Sequence, residues 1–302
     1  MILNNVQVDF HNHGWRSTLP ENHLSRVGLG KLGELIINKL ASPKEISMPP
    51  LDRNKVLFLL DYFYPKYDRM TSDLGLKNFE KGGFELYTEH KSSFIGITDK
   101  ERKKWFYIVR GVEMLTDNGH VISAGTSQAY RFETPKDCYY PGPSLEAKLK
   151  QAKDNDAIII PPHPLSNLSF FEKFILKSIV RDPSGPTPGL SEKNLREYAD
   201  YWDAIEVFSS SMSEEQSERA EKIAEGLNIP TVANSDGPFF LSFHSYNLFE
   251  QIDFSNPEKM RESIRQGLTN QKYKKIKQPF GEDKSEAIKH LLISFLQRKQ
   301  YL

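Results

Sequence analysis

Apolar and polar positions alternate along Val6-Gln7-Val8-Asp9-Phe10-His11-Asn12-His13, just before Gly14. That is a strand's period, and in an unbroken strand it puts Asp9, His11 and His13 on one face. Residues 2–13 therefore read as a first strand. Lys55 to Phe63 (KVLFLLDYF) is a continuous apolar run that suits a buried strand or one face of a helix. Ser93 to Thr98 (SFIGIT) and Trp105 to Met114 (WFYIVRGVEM) are strand-like and flank a charged turn from Asp99 to Lys104, which is a hairpin pattern. Asp117-Asn118-Gly119 is a second turn signal, leading into a strand from His120 to Ala124. Asp156 to Pro161, Ala204 to Phe208 and Thr231 to Ala233 are short strands of the buried type.

Helical patterns fill the intervals. They run over Gly33 to Leu40, Leu76 to His90 (interrupted by Gly82-Gly83), Ser144 to Asp154, Phe170 to Val180, Leu190 to Tyr201, Ser213 to Gly226, Pro257 to Leu268 and Ser285 to Lys299. Ser144, Ser191 and Asn194 are cap candidates, Ser213 and Gln216 have capping-box spacing, and Gly226 is placed to end its helix. Strands alternating with helices predict a single α/β domain over residues 1–302, barrel-like in type.

Composition narrows the chemistry. Of 302 residues, 38% are hydrophobic and 26% charged, as in a globular protein with a real core, and the formal net charge is zero. Nothing in the bulk charge calls for nucleic acid or an anionic membrane. No apolar run approaches the roughly 18 residues of a membrane span, and no signal-peptide pattern opens the sequence, so a cytoplasmic protein is expected. Cys138 is the only cysteine. Thiolate zinc clusters and intrachain disulfides are excluded, and any metal must be held by imidazole and carboxylate.

Candidate donors fall at strand ends, where ligands bind in parallel α/β sheets. His11 and His13 end the first strand, Glu113 lies in Gly111-Val112-Glu113, and His120 follows the Asn118-Gly119 turn. His163 stands in Pro161-Pro162-His163-Pro164 after an apolar strand, and Asp236 in Asn234-Ser235-Asp236-Gly237. Two imidazoles two residues apart can hold one ion between them.

The ordered set VDFHNH, RGVEMLTDNGHVISAG, IIIPPHP and VANSDG resembles the polymerase-and-histidinol-phosphatase superfamily of metal-dependent phosphoesterases, from residue 6 to about 250. The resemblance implies a distorted (β/α)7 barrel as a core of about residues 1–255, and the terminal helical patterns add a helical extension over 256–302. It implies that His11, His13, Glu113 and Asp236 ligate one divalent ion, and that Glu113, His120 and His163 ligate a second, Glu113 bridging. Zn, Mn or Fe would suit that donor set. Two ions can hold a hydroxide between them and stabilise both oxygens of a displacement, with Asp236 the natural proton acceptor or donor. The implied activity is hydrolysis of a small phosphorylated substrate; the same ligands can also serve a carboxylic ester or amide.

The pattern departs from the family at its third metal site. Ser235-Asp236-Gly237-Pro238 lacks the family's late His. The family's Thr-Asp-His has two possible registers, Ile97-Thr98-Asp99-Lys100 and Leu60-Asp61-Tyr62, and neither contains the His. Glu21 is near an early acid position, and His244 could stand in for the lost His. A binuclear enzyme is therefore expected. Lys100, if it enters the site, would replace part of the third ion's charge and bind a phosphate, and Arg16 is a second anion-binding candidate. The competing reading is a non-catalytic scaffold with a vestigial site. Residues 28–90 are an extra segment outside the family pattern, fit for a lid or a dimer contact.

Overall fold

The computed structural model describes residues 1–12, 53–61, 67–68, 71, 76, 80, 84–99, 104–126, 144–166, 189–209, 212–236 and 245–277. Nine strands make one mixed sheet: β1 (Ile2–Asn12), β2 (Lys55–Asp61), β3 (Phe84–Tyr87), β4 (Phe94–Asp99), β5 (Trp105–Thr116), β6 (Gly119–Ala124), β7 (Ile158–Ile160), β10 (Tyr246–Asp253) and β11 (Tyr273–Ile276). A parallel pair, β8 (Ile205–Phe208) and β9 (Thr231–Ala233), forms a second sheet. Four α-helices are described along their length, α1 (Leu145–Asp154), α2 (Glu192–Glu197), α3 (Glu214–Leu227) and α4 (Pro257–Thr269), and a 3-10 turn over Ala199–Tyr201 follows α2.

This architecture corrects the barrel expectation. A (β/α)7 barrel needs successive parallel strands joined through helices. Among the described residues only β1–β2 and β2–β5 are parallel within the large sheet. The β5–β6 link is the two-residue turn Asp117-Asn118, and so short a link can join only antiparallel neighbours. The β4–β5, β6–β7 and β1–β10 pairs are antiparallel as well. Among the described residues the large sheet does not close on itself.

Long β5 organises the sheet. Its Phe106–Val112 edge pairs with β2, while its other edge takes β4 along Trp105–Val109 and then β6 along Gly111–Thr116. At the changeover stands Gly111, where an added methyl would meet Leu60 Cδ2 at 2.5 Å. β2 is buried on both faces, which accounts for its unbroken apolar run. Val56, Phe58 and Leu60 join Val6, Val8 and Phe10 in the largest core cluster, closed by Met260 and Ile264 of α4. Leu57 and Leu59 pack on the opposite face with Ile95, Ile97 and Ile108. Each such burial is worth about 1.5–3 kcal/mol.

Other local expectations meet the structure unevenly. Within Leu76 to His90, read as helical, Phe84–Tyr87 forms strand β3 on the outer edge of β4. The stretch is short and Gly-flanked, and its pairing with Gly96–Asp99 decides it. Ser144 makes no side-chain cap; Asp117 Oδ1 accepts from the Leu145 N–H at 2.9 Å instead. The Ser213/Gln216 capping box is present, but α3 runs past Gly226 and ends at Asn228 in the left-handed region. Strands β10 and β11 were not anticipated. β10 pairs with β1 and β11 with β10, so residues 273–276 extend the sheet and are not helical. The helices read at 33–40, 170–180 and 285–299 lie outside the described residues.

Side chains and loop backbone join the two sheets on both flanks. On one, the Asp203 N–H donates to the Ile159 carbonyl at 3.0 Å and the Glu206 N–H to the Pro161 carbonyl at 3.3 Å. On the other, the Asn247 amide of β10 grips β9, accepting from the Ala233 N–H at 3.0 Å and donating to its carbonyl at 2.8 Å. The polar cluster described next sits between these flanks. No described helix is long and apolar enough to cross a membrane.

Candidate metal centre

His11 reaches the cluster because β1 is bulged. Asp9 pairs with Leu57 and Asn12 with Leu59, so β1 carries one extra residue there. Phe10 stacks on Phe58 in the core cluster that also holds Val109, and Glu113 shares the parity of Val109 in β5. In a regular strand His11 would face away from Phe10 and Glu113. The bulge re-aims it. Asp9 fixes the bulge, its carboxylate accepting from the His11 N–H at 3.1 Å, the Ser235 N–H at 3.2 Å and the Ser235 hydroxyl. Burial pushes the Asp9 carboxyl up to about 6, against the lowering effect of those hydrogen bonds.

Five of the expected ligands come together. His11 Nε2 lies 3.2 Å from Asp236 Oδ1 and 3.9 Å from Glu113 Oε2. Glu113 Oε1 lies 2.7 Å from His120 Nδ1 and 3.2 Å from His163 Nε2. Donor atoms of His11, Glu113 and His163 all lie within 4.8 Å of one another. His120 reaches Glu113 diagonally across the β5–β6 hairpin, since Glu113 pairs with Ile122. Arg110, a possible structural partner for Glu113, instead pairs with Asp68 and lies over the Tyr67 ring.

His163 and Asp236 both have positive φ, 30° and 46°. Left-handed backbone costs a non-glycine residue on the order of 1–3 kcal/mol and persists only where the surroundings impose it. For His163 they do. Its carbonyl accepts from the Ser166 N–H at 3.2 Å, and Gly189 packs so closely that an added methyl would meet that carbonyl at 2.4 Å.

His13, Arg16 and Lys100 lie outside the described residues. The two registers considered for the family's Thr-Asp-His part here. Asp61 ends β2, which runs parallel to β1 towards the cluster. Thr98 pairs with Trp105, at the end of β5 away from Glu113.

Glu206 belongs to this cluster and was not foreseen. It is fully buried, and its carboxylate lies 3.1 Å from His11 Nδ1, accepts from the His163 N–H at 2.5 Å and from Asn234 Nδ2 at 2.8 Å. Its sequence signal is an acid inside the apolar strand Ala204-Ile205-Glu206-Val207-Phe208, where a charge is costly unless satisfied.

The donor set suits a transition-metal cation. His11 Nδ1 is held by Glu206 and His163 Nδ1 lies 3.2 Å from Ser166 Oγ, while each ring's Nε2 is turned towards the carboxylates. One ring nitrogen anchored outward and the other presented inward is the arrangement of ligating histidines. The electrostatics agree. Burial alone would pull both rings down, yet Asp236, Glu206 and Glu113 hold His11 well above its ordinary value, and Glu113 and Asp236 raise His163. A site that draws protons onto imidazoles is one for which a divalent cation competes.

No family model matches the chain. No curated protein matches it. Among solved structures, PsfC from Pseudomonas syringae is similar over 98% of this chain and 99% of its own, at 14% identity and a TM-score of 0.44. A protein from Bifidobacterium adolescentis, provisionally described as a metal-dependent phosphoesterase, is similar over 86% of this chain and 94% of its own, at 11% identity and a TM-score of 0.37. At these values neither likeness assigns an activity.

Proposed function

We propose that this chain is a metal-dependent phosphoesterase of the polymerase-and-histidinol-phosphatase type, acting on a small phosphorylated substrate. The observation that carries the metal reading is the orientation of His11 and His163, each anchored through Nδ1 with Nε2 turned to the shared carboxylate of Glu113, and His11 also to Asp236. The phosphoester follows from the ordered sequence motifs.

In this reading His11 and Asp236, with His13, would hold one ion, and His120 and His163 would hold the second. Glu113 lies within reach of all three of the cluster's imidazoles and would serve both ions. When bound, such ions act as Lewis acids on the phosphoryl group and lower the pKa of a water. The chain's own part is positioning and proton handling. The Asp236 side chain is 11% exposed, against 3% for Glu113, so among the cluster's carboxylates it stands nearest solvent. It accepts the attacking water's proton and returns one to the leaving group. Arg16 is proposed to hold the substrate's phosphate; Lys100 is left out of this reading, because β4 ends at Asp99, by the end of β5 away from Glu113. A neutral chain with one cysteine suits a small substrate in the cytoplasm better than long nucleic acid.

Metal analysis by mass spectrometry, on protein purified without added metal or chelator, tests this together with a phosphomonoester screen. About two ions per chain are expected. Their loss in a His11→Ala/Glu113→Ala variant, and phosphate release abolished by chelator, complete the expected result. A protein that takes up no metal on titration is not a metallohydrolase, and the scaffold reading then replaces this one.

A further inference from the structure

Hydrogen-bond direction can be followed into the cluster from the backbone. The Phe10 N–H can only donate, and it donates to Asn234 Oδ1 at 3.0 Å. Asn247 Nδ2 donates to the same oxygen at 3.3 Å, and the Asn247 amide is itself oriented by the N–H and carbonyl of Ala233. Asn234 must therefore present its NH2 group to Glu206 Oε1, 2.8 Å away. The other carboxylate oxygen takes the His163 N–H at 2.5 Å, again from a group that can only donate. With both oxygens accepting, Glu206 is left to receive a proton from His11 Nδ1. That assigns the tautomer: the neutral ring carries its proton on Nδ1 and turns the lone pair of Nε2 inward.

We propose that Glu206 is the positioning residue of this centre, fixing the tautomer of His11 and the backbone of His163 through one carboxylate. The proposal rests on the metal reading above for its purpose, but its geometry stands alone. His163 is the third residue after β7 and has a φ of 30°, so its ring has no regular element to hold it. Its N–H bond to Glu206 ties that loop to β8, and the same carboxylate ties the bulge of β1 to β8. Two histidines far apart in sequence are thus indexed to one buried acid. Glu206→Gln keeps the shape but breaks the logic. If the Gln oxygen keeps the His163 N–H, its NH2 faces two donors. Asn234 must turn or retreat, and His11 must accept at Nδ1 and carry its proton on Nε2, where it blocks ligation.

The test is nitrogen-15 NMR of the histidine rings in the full chain, with the His11 signals assigned by their loss in His11→Gln. At a pH high enough to neutralise the ring, wild-type protein should show the Nδ1–H tautomer; an Nε2–H ring overturns the proposal without recourse to any variant. Glu206→Gln should move the proton to Nε2 and weaken Zn2+ binding in a chelator competition by about 10–100-fold. A variant that only lowers the melting temperature, with the His11 tautomer unchanged, shows Glu206 to be structural and overturns the proposal. Should wild-type protein bind no Zn2+ while the tautomer still follows Glu206, the metal reading fails and the positioning role of Glu206 stands.

Discussion

At the scale of single residues, two glycines make opposite predictions. Gly189 is wedged against the His163 turn, and a methyl there would meet backbone atoms of His163 and Ser166 at 2.4 and 2.6 Å. Backbone cannot rotate away as a side chain can. Gly189→Ala should therefore cost about 1–3 kcal/mol in urea unfolding and reduce metal uptake by displacing His163. Gly226 lies near the end of α3 with nothing within 4 Å of the added methyl. There Ala removes unfolded-state entropy without a clash, and Gly226→Ala should raise stability by up to about 1 kcal/mol with metal content unchanged. Were Gly189→Ala as stable as wild type, the account of how His163 is held would be wrong.

Between elements, the clasp from β10 to β9 is the point of interest. Strand β9 has only three residues, and β8 is its only strand partner among the described residues. On its other flank the Asn247 amide takes the place of a strand, satisfying both the N–H and the carbonyl of Ala233. Asn247→Ala leaves those buried groups without that partner, at a cost of about 1–3 kcal/mol. It also frees Asn234, and through it Glu206. Hydrogen exchange at the Ala233 amide should accelerate selectively, while amides in β4 keep wild-type protection. Uniform acceleration would mean that the clasp is part of the global unfolding unit and not a local fastening.

At the scale of the whole molecule, a cluster of ion pairs binds α4 to the residues just before β7 and β8. Arg261 and Arg265 both pair with Asp156, at 2.7 and 2.6 Å, and Arg265 also bonds Asp203 at 3.0 Å. Partial burial pushes the Asp156 carboxyl up, but the two guanidiniums outweigh it and hold the group below its ordinary 3.8. A carboxylate held low in the folded state contributes stability that is fully present above its unfolded pKa and lost as pH falls through its folded one. Asp156 has a φ of 53°, which Asn tolerates. Asp156→Asn should therefore be less stable at neutral pH, by about 1 kcal/mol because the carboxylate is partly solvent-screened, and should converge with wild type below pH 4. A constant difference down to pH 2 would assign the loss to shape and not to charge. Metal removal acts at the same scale: an ion bound only by the folded chain stabilises it by about 2.7 kcal/mol at a hundredfold excess over its Kd, so chelation should lower the melting temperature. An unchanged melting temperature would argue against the centre.

Much of the site could be read before any fold was known, because its donors are marked locally. His11, Glu113, His120, His163 and Asp236 each lie at or beside one end of a strand pattern with a distinctive neighbour, and the fold brings all five together. The hairpins at Asp99–Lys104 and Asp117-Asn118 were equally legible, since a turn states its own geometry. What local pattern could not state was pairing at long range. Alternating strands and helices suggested a parallel barrel, yet β10 reaches back from the far end of the chain to take the edge of β1. Its inward-facing Asn247 breaks the apolar alternation that would have announced it. Glu206 was missed for a related reason. A lone acid in a short strand has no meaning until His11, Asn234 and the His163 backbone, from three other parts of the chain, are folded around it. Residue type and spacing choose which groups are able to bind an ion. Only tertiary contact decides which of their protons, tautomers and backbone angles are held ready for it, because those depend on hydrogen bonds between segments that the sequence keeps apart.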